Sequence, residues 1–303
     1  MAARDFSKWV PIQYDPNAIG REVIRSAIYS VGRLKNMTSN TMEMPRLLDA
    51  DVNGGSQLTE DTNDGDNITM YSYQYNGKHT FDEAQDEDAY ADEVAAAGKE
   101  WLNSYFRAYD YACLGVSTDR SATVGNFQPY QSMYYRLTNA DSTTGYTANA
   151  NRTLSSMTYA NLSATLAMLE NGDFWAPEST VVIANTSLRA NMRNLLDSQN
   201  RPIFYSNEVG NVVQDTLFGY PIAWSRGCKV SLNFKSSSAK GFPLLYFVNR
   251  HYLVRGARIE PQSRFIPASQ ADLNALEDTL IHRGRQGFVL TIPQAASMLV
   301  VNA

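Results

Sequence analysis

The 303-residue sequence contains few residues of the kinds that build reactive sites. Its three histidines, His79, His251 and His282, do not stand at metal-ligand spacings from a cysteine, an acid or another histidine. Its two cysteines, Cys113 and Cys228, predict buried thiols in a reducing cytoplasm rather than a structural disulfide. These scarcities argue against a metal centre and against a fold that depends on disulfides.

Long apolar stretches and nucleotide-binding motifs are also missing. The longest apolar runs, such as SMLVV at 297–301, are far too short to cross a bilayer, so no membrane-spanning segment is predicted. Residues 1–16 lack the apolar core of a signal peptide. No Walker sequence, dinucleotide-binding fingerprint or Gly-x-Ser-x-Gly elbow occurs. The residues therefore predict no catalytic site, no cofactor and no metal.

One polar stretch, EDTNDGDN at 60–67, has a superficial likeness to a calcium-binding loop. With Glu60 as the first ligand, Gly65 falls at the sixth position, where such loops turn. The twelfth position, which requires a bidentate glutamate, is occupied by Tyr71. A specific calcium site is therefore not predicted.

Charge is distributed unevenly along the chain, although its net value is only −5. Residues 49–93 hold thirteen acidic side chains and one base, Lys78. The flanking segments are mildly basic, at +3 for residues 1–48 and +4 for residues 94–303. This pattern favours charge-complementary contacts, either within the chain or between copies of it.

Three elements are predicted in the first third of the chain. Residues 17–36 place apolar side chains near one face and basic ones elsewhere, which predicts a basic amphipathic helix that packs on a neighbour. Residues 45–80 combine two strand-like ends with a Gly-, Asp- and Asn-rich tip, which predicts a long hairpin. Residues 82–116 follow the helical period from Tyr90 to Ala112, which predicts a long helix.

Helices and strands are both predicted after residue 116, and the chain as a whole is predicted to be α+β. Residues 117–153 have the composition of loops and short strands, and residues 155–174 predict a helix that stops at Gly172. A strand entered through a Gly-Tyr-Pro turn is predicted within 215–227. Two further stretches are β-rich and carry several arginines: residues 242–265 and residues 279–301.

The stretch VVIANTSLRANMRNLL, at 181–196, raises the question of a nucleotide site. Its β-branched strand runs into Asn185, Thr186 and Ser187 and then into a helical pattern, and phosphates bind at helix N-termini of this kind. The glycines that would let a phosphate approach the backbone are absent. An α/β enzyme that uses nucleotides at this strand end is therefore kept as an alternative.

Four stretches, taken in order, resemble the major capsid proteins of tailed bacteriophages, which have the Hong Kong 97-type fold. They are VVIANTSLRANMRNLL at 181–196, TLFGYPIAWS at 216–225, LLYFVNRHYLVRGARIEPQS at 244–263 and HRGRQGFVLTIPQAASMLVV at 282–301. The resemblance covers nearly the whole chain. It implies that the 181–196 unit is a packing layer and that its polar residues 185–187 cap a helix.

The resemblance also implies a division of the chain into six segments. They are an N-terminal arm at 1–44, an E-loop hairpin at 45–80, the spine helix of a peripheral (P) domain at 81–116, an axial (A) domain at 117–241, the long β-strands of the P domain at 242–290, and the last strand of the A domain at 291–303.

The function implied by the resemblance is that of a structural shell protein, not an enzyme. Copies would assemble in the host bacterial cytoplasm into hexamers and pentamers of an icosahedral virion capsid. The shell would enclose double-stranded DNA without sequence-specific recognition, with scaffolding and portal proteins as partners, with or without decoration proteins, and with no membrane. The alternative with the same fold is an encapsulin-like nanocompartment that encloses enzymes.

Two features depart from the family pattern. Many relatives carry a long N-terminal scaffolding segment, whereas the arm begins here almost at Met1, which implies a separate scaffolding protein or a segment removed earlier. Some relatives link an E-loop lysine covalently to an asparagine of a neighbouring subunit. Because residues 45–77 contain no lysine, we expect no such bond here.

Ion pairs are expected in place of the covalent bond. We predict that E-loop acids of one subunit contact P-domain arginines of another, because the planar guanidinium can bind a carboxylate through two hydrogen bonds. The candidate contact residues are Asp49, Asp51, Glu60, Asp61, Asp64, Asp66, Arg250, Arg255, Arg258, Arg264, Arg283 and Arg285.

Overall fold

The computed structural model describes residues 26–46, 65–82, 93–123, 126–209, 212–232, 241–267 and 277–302. The chain divides into two compact units. The smaller unit comprises Met1–Val23, Tyr75–Ser104 and Pro261–Arg283, and the larger unit comprises Ile24–Gln74, Tyr105–Glu260 and Gly284–Ala303.

The described residues form both helices and strands. The helices are α1 (Ala27–Val31), α2 (Glu93–Leu114), α3 (Met133–Thr138), α4 (Tyr159–Glu170) and α5 (Arg189–Arg193). The strands are β1 (Arg33–Asn36), β2 (Thr41–Arg46), β3 (Asp66–Asp82), β4 (Ser121–Thr123), β5 (Asn126–Gln128), β6 (Arg152–Ser155), β7 (Thr180–Asn185), β8 (Phe204–Val209), β9 (Val212–Leu217), β10 (Tyr220–Ser225), β11 (Leu244–Asn249), β12 (Leu253–Ile266), β13 (Glu277–Leu290) and β14 (Ala296–Val301).

The helix predicted over 17–36 is shorter than expected. Within the described residues α1 ends at Val31, and after Gly32 the residues Arg33–Asn36 form β1, which runs parallel to β12 with Arg33 opposite Val254. The prediction was wrong at 33–36 because the partner strand lies more than two hundred residues further along the chain. Residues 17–25 lie outside the described residues.

The predicted hairpin is present as the antiparallel pair β2–β3. Its register places Thr41 opposite Tyr71 and Arg46 opposite Asp66. The first strand begins at Thr41, so the last residues of the predicted arm belong to the hairpin. The polar tip at 47–64 lies outside the described residues.

The long helix is confirmed as α2 over Glu93–Leu114, while residues 83–92 lie outside the described residues. In the larger unit this helix buries Tyr109 completely, and Tyr29 of α1 meets it edge-on at 5.5 Å between ring centroids. Aromatic pairs of this geometry stabilise a fold by about 0.5–1.5 kcal/mol beyond their buried area. The contact therefore holds α1 against α2.

A sheet of seven described strands lies in the larger unit, with the strand order β6-β14-β11-β7-β10-β9-β8. Every residue of the neighbouring strands β14, β11 and β7 is buried. Strands buried on both faces are continuous apolar runs, which is why they carry no alternating pattern. Helix α4 packs its Leu162, Leu166 and Leu169 into the same core.

Strand β11 corrects the predicted segment of long β-strands at 242–290. Leu244–Asn249 does not join the long strands; it pairs antiparallel with β7 and β14 in the seven-stranded sheet. The continuous apolar sequence LLYFVN suits a strand covered on both faces. The two 14-residue strands of the five-stranded sheet, whose order is β1-β12-β13-β3-β2, are β12 and β13.

Of the two helices found within 117–174, one was not predicted and the other was. The region 117–153, predicted as loops and short strands, also contains α3, capped by Ser132, whose side chain accepts from the Tyr135 amide at 3.1 Å. The predicted second helix is confirmed as α4; its C-cap is Asn171, so the helix ends directly before Gly172, as predicted.

The strand–helix unit at 181–196 is confirmed in outline. Strand β7 runs into a short 3-10 turn at Thr186–Leu188 and then into α5, which is five residues long, shorter than predicted. The side-chain oxygen of Asn185 accepts from the Ser187 amide at 2.9 Å and caps the turn. Thr186 and Ser187 lie inside the turn, so Asn185 alone is the cap.

The turn and cysteine predictions also have clear outcomes. The strand predicted within 215–227 is β10, entered from β9 through a turn at Phe218 and Gly219, whose φ angles are 52° and 85°. A two-residue hairpin turn of type I′ needs positive φ at both positions, which glycine tolerates best. Cys113 and Cys228 are both buried and unpaired, as predicted.

Candidate functional site

The base of the β2–β3 hairpin is held by four charged side chains, Arg46, Asp66, Arg136 and Asp141, which we call the hairpin-base cluster. Arg46, which is buried, bonds to its cross-strand partner Asp66 and lies 3.2 Å from Asp141. It also donates to the Thr291 carbonyl at 3.0 Å. Arg136 donates to the same Asp141 oxygen at 2.7 Å. The cluster therefore ties the hairpin to α3 and to the end of β13.

The arginines keep both carboxylates ionised. Burial opposes the charge of Asp141, but the nearby Arg136 and Arg46 outweigh it and lower the pKa of Asp141. The hydrogen bond from Arg46 is the main reason that the pKa of Asp66 is lowered. Asp66, predicted to contact another subunit, thus has a partner in its own chain. Sequence reasoning did not find the cluster, because Asp141 lies 95 residues from Arg46.

Arg255 does not lie on the surface as the prediction required. Its side chain is 8% exposed, and its guanidinium lies over the ring of Tyr29 at 3.8 Å. It also bonds to Glu260 at 3.2 Å and to Gln286 at 3.4 Å. Arg255 therefore serves contacts within its own chain, and the other arginines are the better candidates for contacts between copies.

Arg258 and Arg285 lie together on the five-stranded sheet, and we call them the paired arginines. Both donate to the side-chain oxygen of Asn40, with Arg285 at 3.4 Å. Arg285 also places Nε and Nη2 at 3.2 and 3.0 Å from Gln74 Oε1. Within the described residues neither guanidinium has a carboxylate within ion-pair distance. Amide oxygens hold the two cations in place without neutralising them.

The other three predicted arginines are exposed. Arg250 lies in a 3-10 turn of the larger unit, where its amide donates to the Ser179 carbonyl at 2.9 Å. Arg264 of β12 and Arg283 of β13 belong to the smaller unit. Among the residues that the structure describes, none of the three has an ion-pair partner. Their charge is available to a partner molecule.

Five of the predicted acidic contacts cannot be placed. Asp49, Asp51, Glu60, Asp61 and Asp64 lie outside the described residues. Their role therefore stays a prediction from the sequence.

A buried carboxylate that the sequence analysis did not single out connects three elements. Asp110 of α2 accepts hydrogen bonds from the hydroxyls of Ser26 and Ser225, the latter at 2.6 Å. It also accepts from the amides of Ala27 and Ile28, at 3.1 and 3.4 Å, at the start of α1. Burial is the main reason that the pKa of Asp110 is raised. The sequence signal that could have identified Asp110 is its position as a single acid on the apolar face of the predicted helix.

The strand end at Asn185, considered above for a nucleotide, uses its polar groups internally. The Asn185 side chain accepts from Ser187 and donates to the Cys228 carbonyl at 3.0 Å. Within the described ranges, no three His, Cys, Asp or Glu side chains come together as metal ligands do. None of the described helices is long and apolar enough to cross a membrane.

Solved structures match the chain over its whole length. A chain of the capsid of a native GTA particle is 14% identical, with a TM-score of 0.70 over 100% of both chains. A chain from Microbacterium phage Oxtober96 is 15% identical, with a TM-score of 0.67 over 99% of both chains. A chain from Mycobacterium phage Adephagia is 13% identical, with a TM-score of 0.66 over 98% of this chain and 97% of that one.

No protein-family model matches the sequence, and no curated protein matches it. At identities this low, the likeness is one of fold. The chain has the phage-capsid fold that the order of its sequence stretches predicted.

Proposed function

We propose that the chain is the major capsid protein of a tailed bacteriophage and that its copies build an icosahedral shell. The observation that carries the proposal is the end-to-end match with the GTA capsid chain. A match confined to one domain would leave the rest of the chain free for another activity, whereas here both chains are covered completely.

In this proposal hexamers and pentamers of the chain enclose double-stranded DNA without reading its sequence. Scaffolding and portal proteins take part in assembly in the host bacterial cytoplasm, and a decoration protein can cover the finished virion capsid. The hairpin β2–β3 corresponds to the E-loop, α2 to the spine helix, β12 and β13 to the long strands of the P domain, and the seven-stranded sheet to the A domain.

Contacts between copies are proposed to use the arginines that lack a carboxylate. The paired arginines supply two cations held by Asn40 and Gln74, and their proposed partners are the E-loop acids of a neighbouring copy. An exposed ion pair stabilises by only about 0–1 kcal/mol, so a single pair does not hold a shell. The same pair repeated at every subunit contact gives a sum that salt screens.

The proposal is tested by expressing the chain in bacteria, alone and together with the genes that flank its own, and by imaging the product in negative stain. We expect closed particles with five-fold and six-fold clusters in at least the second preparation. Monomers or small oligomers in both preparations would contradict a shell function.

The contents of the particles separate the two kinds of shell. Particles that mature in infected cells are expected to contain double-stranded DNA. Particles that instead contain a co-purifying enzyme and no DNA would show an encapsulin-like nanocompartment.

A further inference from the structure

His282, on β13 in the smaller unit, occupies an unusual position for a titratable side chain. It is completely buried, and its ring is stacked on the indole of Trp101 at 4.7 Å between centroids and 11° between planes. Its Nδ1 lies 2.7 Å from the hydroxyl of Ser263 on β12. The ring of His79 on β3 meets it edge-on at 5.2 Å.

The stack is tightly confined. A Cβ atom on Gly77 of β3 would lie 2.5 Å from Trp101 Cδ1 and 3.3 Å from His282 Cδ2. The glycine therefore lets the indole and the imidazole approach the strand backbone. Movement of either ring changes the contact between β13 and α2 in this unit.

The hydrogen bonding of His282 fits the neutral ring and opposes the charged one. The neutral tautomer with its proton on Nδ1 donates that proton to the Ser263 hydroxyl and carries no hydrogen on Nε2. The other nitrogen, Nε2, is buried and has no hydrogen-bond partner among the described residues. A second proton would put a donor on Nε2 with no acceptor, which costs about 1–3 kcal/mol for a neutral group and more for a charged one.

The charged residues near His282 do not offset the cost of a second proton on its ring. Within the smaller unit, the titratable or charged side chains that the structure describes on the elements around His282 are Tyr75, Lys78 and His79 on β3, Arg264 on β12, Lys99 and Glu100 on α2, and Asp278 and Arg283 on β13. Burial first, and then the charge of His79, lower the pKa of His282 from its usual 6.5. The indole face attracts a cation and therefore opposes part of this lowering.

We propose that the His282–Trp101 stack is an acid-sensitive joint of the smaller unit: when His282 takes a proton from solvent, the ring leaves the stack and β13 separates locally from α2. Opening exposes Nε2 to water, so the open form binds the proton more tightly than the closed form. The closed form is then favoured fully above about pH 6.5 and progressively less as the pH falls below that value. The joint does not require the chain to form a shell.

Hydrogen exchange followed by mass spectrometry tests the proposal on the purified full-length chain. Exchange is compared at pH 7.5 and pH 5.0, after correction for the intrinsic effect of pH, in peptides that cover 75–82, 95–104 and 277–283. We expect corrected exchange to be faster at pH 5.0 than at pH 7.5 in these peptides, because protonation favours the open form and each unit of pKa difference between the two forms changes their equilibrium up to tenfold. Equal corrected rates would overturn the proposal.

Variants identify the group that responds. His282→Phe keeps an aromatic ring in the stack and is expected to abolish the acid response. His79→Gln removes the facing charge, brings the pKa of His282 closer to 6.5 and is expected to weaken the response. His251→Gln, in the larger unit, is the matched control and should leave the response unchanged.

A full acid response in His282→Phe would overturn the proposal. Should that variant fail to fold, NMR of the wild-type chain with labelled histidine decides. Titration of His282 at or above pH 6.5 overturns the joint, and titration below it supports the joint.

Discussion

At the scale of single residues, the structure depends on a close contact between two backbone segments at Gly115. This glycine follows α2, and its carbonyl accepts from the Ser231 amide at 2.9 Å. A Cβ atom placed on it would overlap the Lys229 carbonyl oxygen and lie 2.8 Å from the carbonyl carbon. Both atoms belong to the backbone, which cannot turn aside as a flexible side chain can. The helix end and the Lys229 segment therefore depend on glycine here.

We expect Gly115→Ala to lower the free energy of unfolding by about 1–3 kcal/mol, because the added methyl group overpacks a backbone contact. The matched control is Gly98→Ala in the same helix, where an added Cβ meets no atom within 4 Å. That change is expected to raise stability by up to about 1 kcal/mol, because alanine is the better helix former. Urea unfolding of the three proteins measures both effects, and equal midpoints for wild type and Gly115→Ala would refute the first.

At the scale of elements, the hairpin-base cluster decides how firmly β2 and β3 are held. Arg46 bridges a cross-strand carboxylate and the Asp141 carboxylate, and its side chain is 6% exposed. A buried charge that loses its partner is costly, because the remaining charge keeps its desolvation penalty. The cluster is therefore a point where one substitution loosens a whole element.

Arg46→Met is expected to destabilise the chain by about 3 kcal/mol at pH 7, as for other buried pairs that lose one partner. The pKa values of Asp66 and Asp141 are lowered in the folded chain, so their contribution is present above about pH 4 and is lost as the pH falls below it. The difference between wild type and Arg46→Met should therefore shrink at pH 3. Urea midpoints at both pH values measure it.

Arg46→Lys is the control, because it keeps the charge and loses the planar fork. An intermediate loss of stability is expected. A difference between wild type and Arg46→Met that is the same at pH 3 and pH 7 would show that packing, not charge, holds the hairpin base.

Elements with a strong local sequence pattern were predictable from the sequence. Elements whose conformation or sheet depends on pairing with a strand far along the chain were not. Helix α2 shows the helical period and forms as predicted over Glu93–Leu114. Strand β1 follows a helical pattern but is extended, because β12 supplies its hydrogen bonds. Strand β11 has the apolar run of a buried strand, and its run alone does not say which sheet it joins.

The candidate contact residues show the same division. Sequence composition identified a block of arginines but not which of them are free. Their neighbours in the fold distinguish them: Arg255 is buried against the ring of Tyr29, whereas the paired arginines bond to the side-chain amides of Asn40 and Gln74. These neighbours lie 180 or more residues away along the chain, so no local pattern reveals them.

At the scale of the whole molecule, the charge pattern predicts how copies recognise one another. We expect the triple variant Glu60→Gln, Asp61→Asn, Asp64→Asn to leave the monomer folded and to reduce assembly, because proposed partners of the arginines are removed. Asp66 is left unchanged, since it pairs with Arg46. High salt should mimic the defect in the wild-type chain. Particle yield by sedimentation and circular dichroism of the monomer are the measurements.

Charge-matched variants make this test specific. Asp86→Asn, Glu87→Gln, Asp88→Asn removes the same charge from another acidic segment and should assemble normally. Arg258→Gln, Arg285→Gln should reproduce the assembly defect, whereas Arg193→Gln, Arg226→Gln should not. Wild-type yield and salt tolerance in the first triple variant would mean that the acidic tip serves solubility alone.

The absence of lysine between residues 45 and 77 gives a second prediction for the assembled molecule. Mature particles boiled in denaturing detergent should yield a single monomer band, because residues 45–77 offer no lysine amine to form an isopeptide bond. A ladder of covalent multimers would show that a lysine elsewhere in the chain forms the bond.

The order of strands in the seven-stranded sheet determines when the chain can fold during its synthesis on the ribosome. Strand β14 lies between β6 and β11, so β6 has no neighbour in the sheet until residues 296–301 have been made. Strand β1 likewise cannot pair until β12 has been made, and the hydrogen bond from Arg46 to the Thr291 carbonyl cannot form until residue 291 has been made. Contacts between residues so distant in sequence form slowly. Each copy therefore completes its fold only after residues 296–301 have been synthesised, which delays its entry into any larger structure until then.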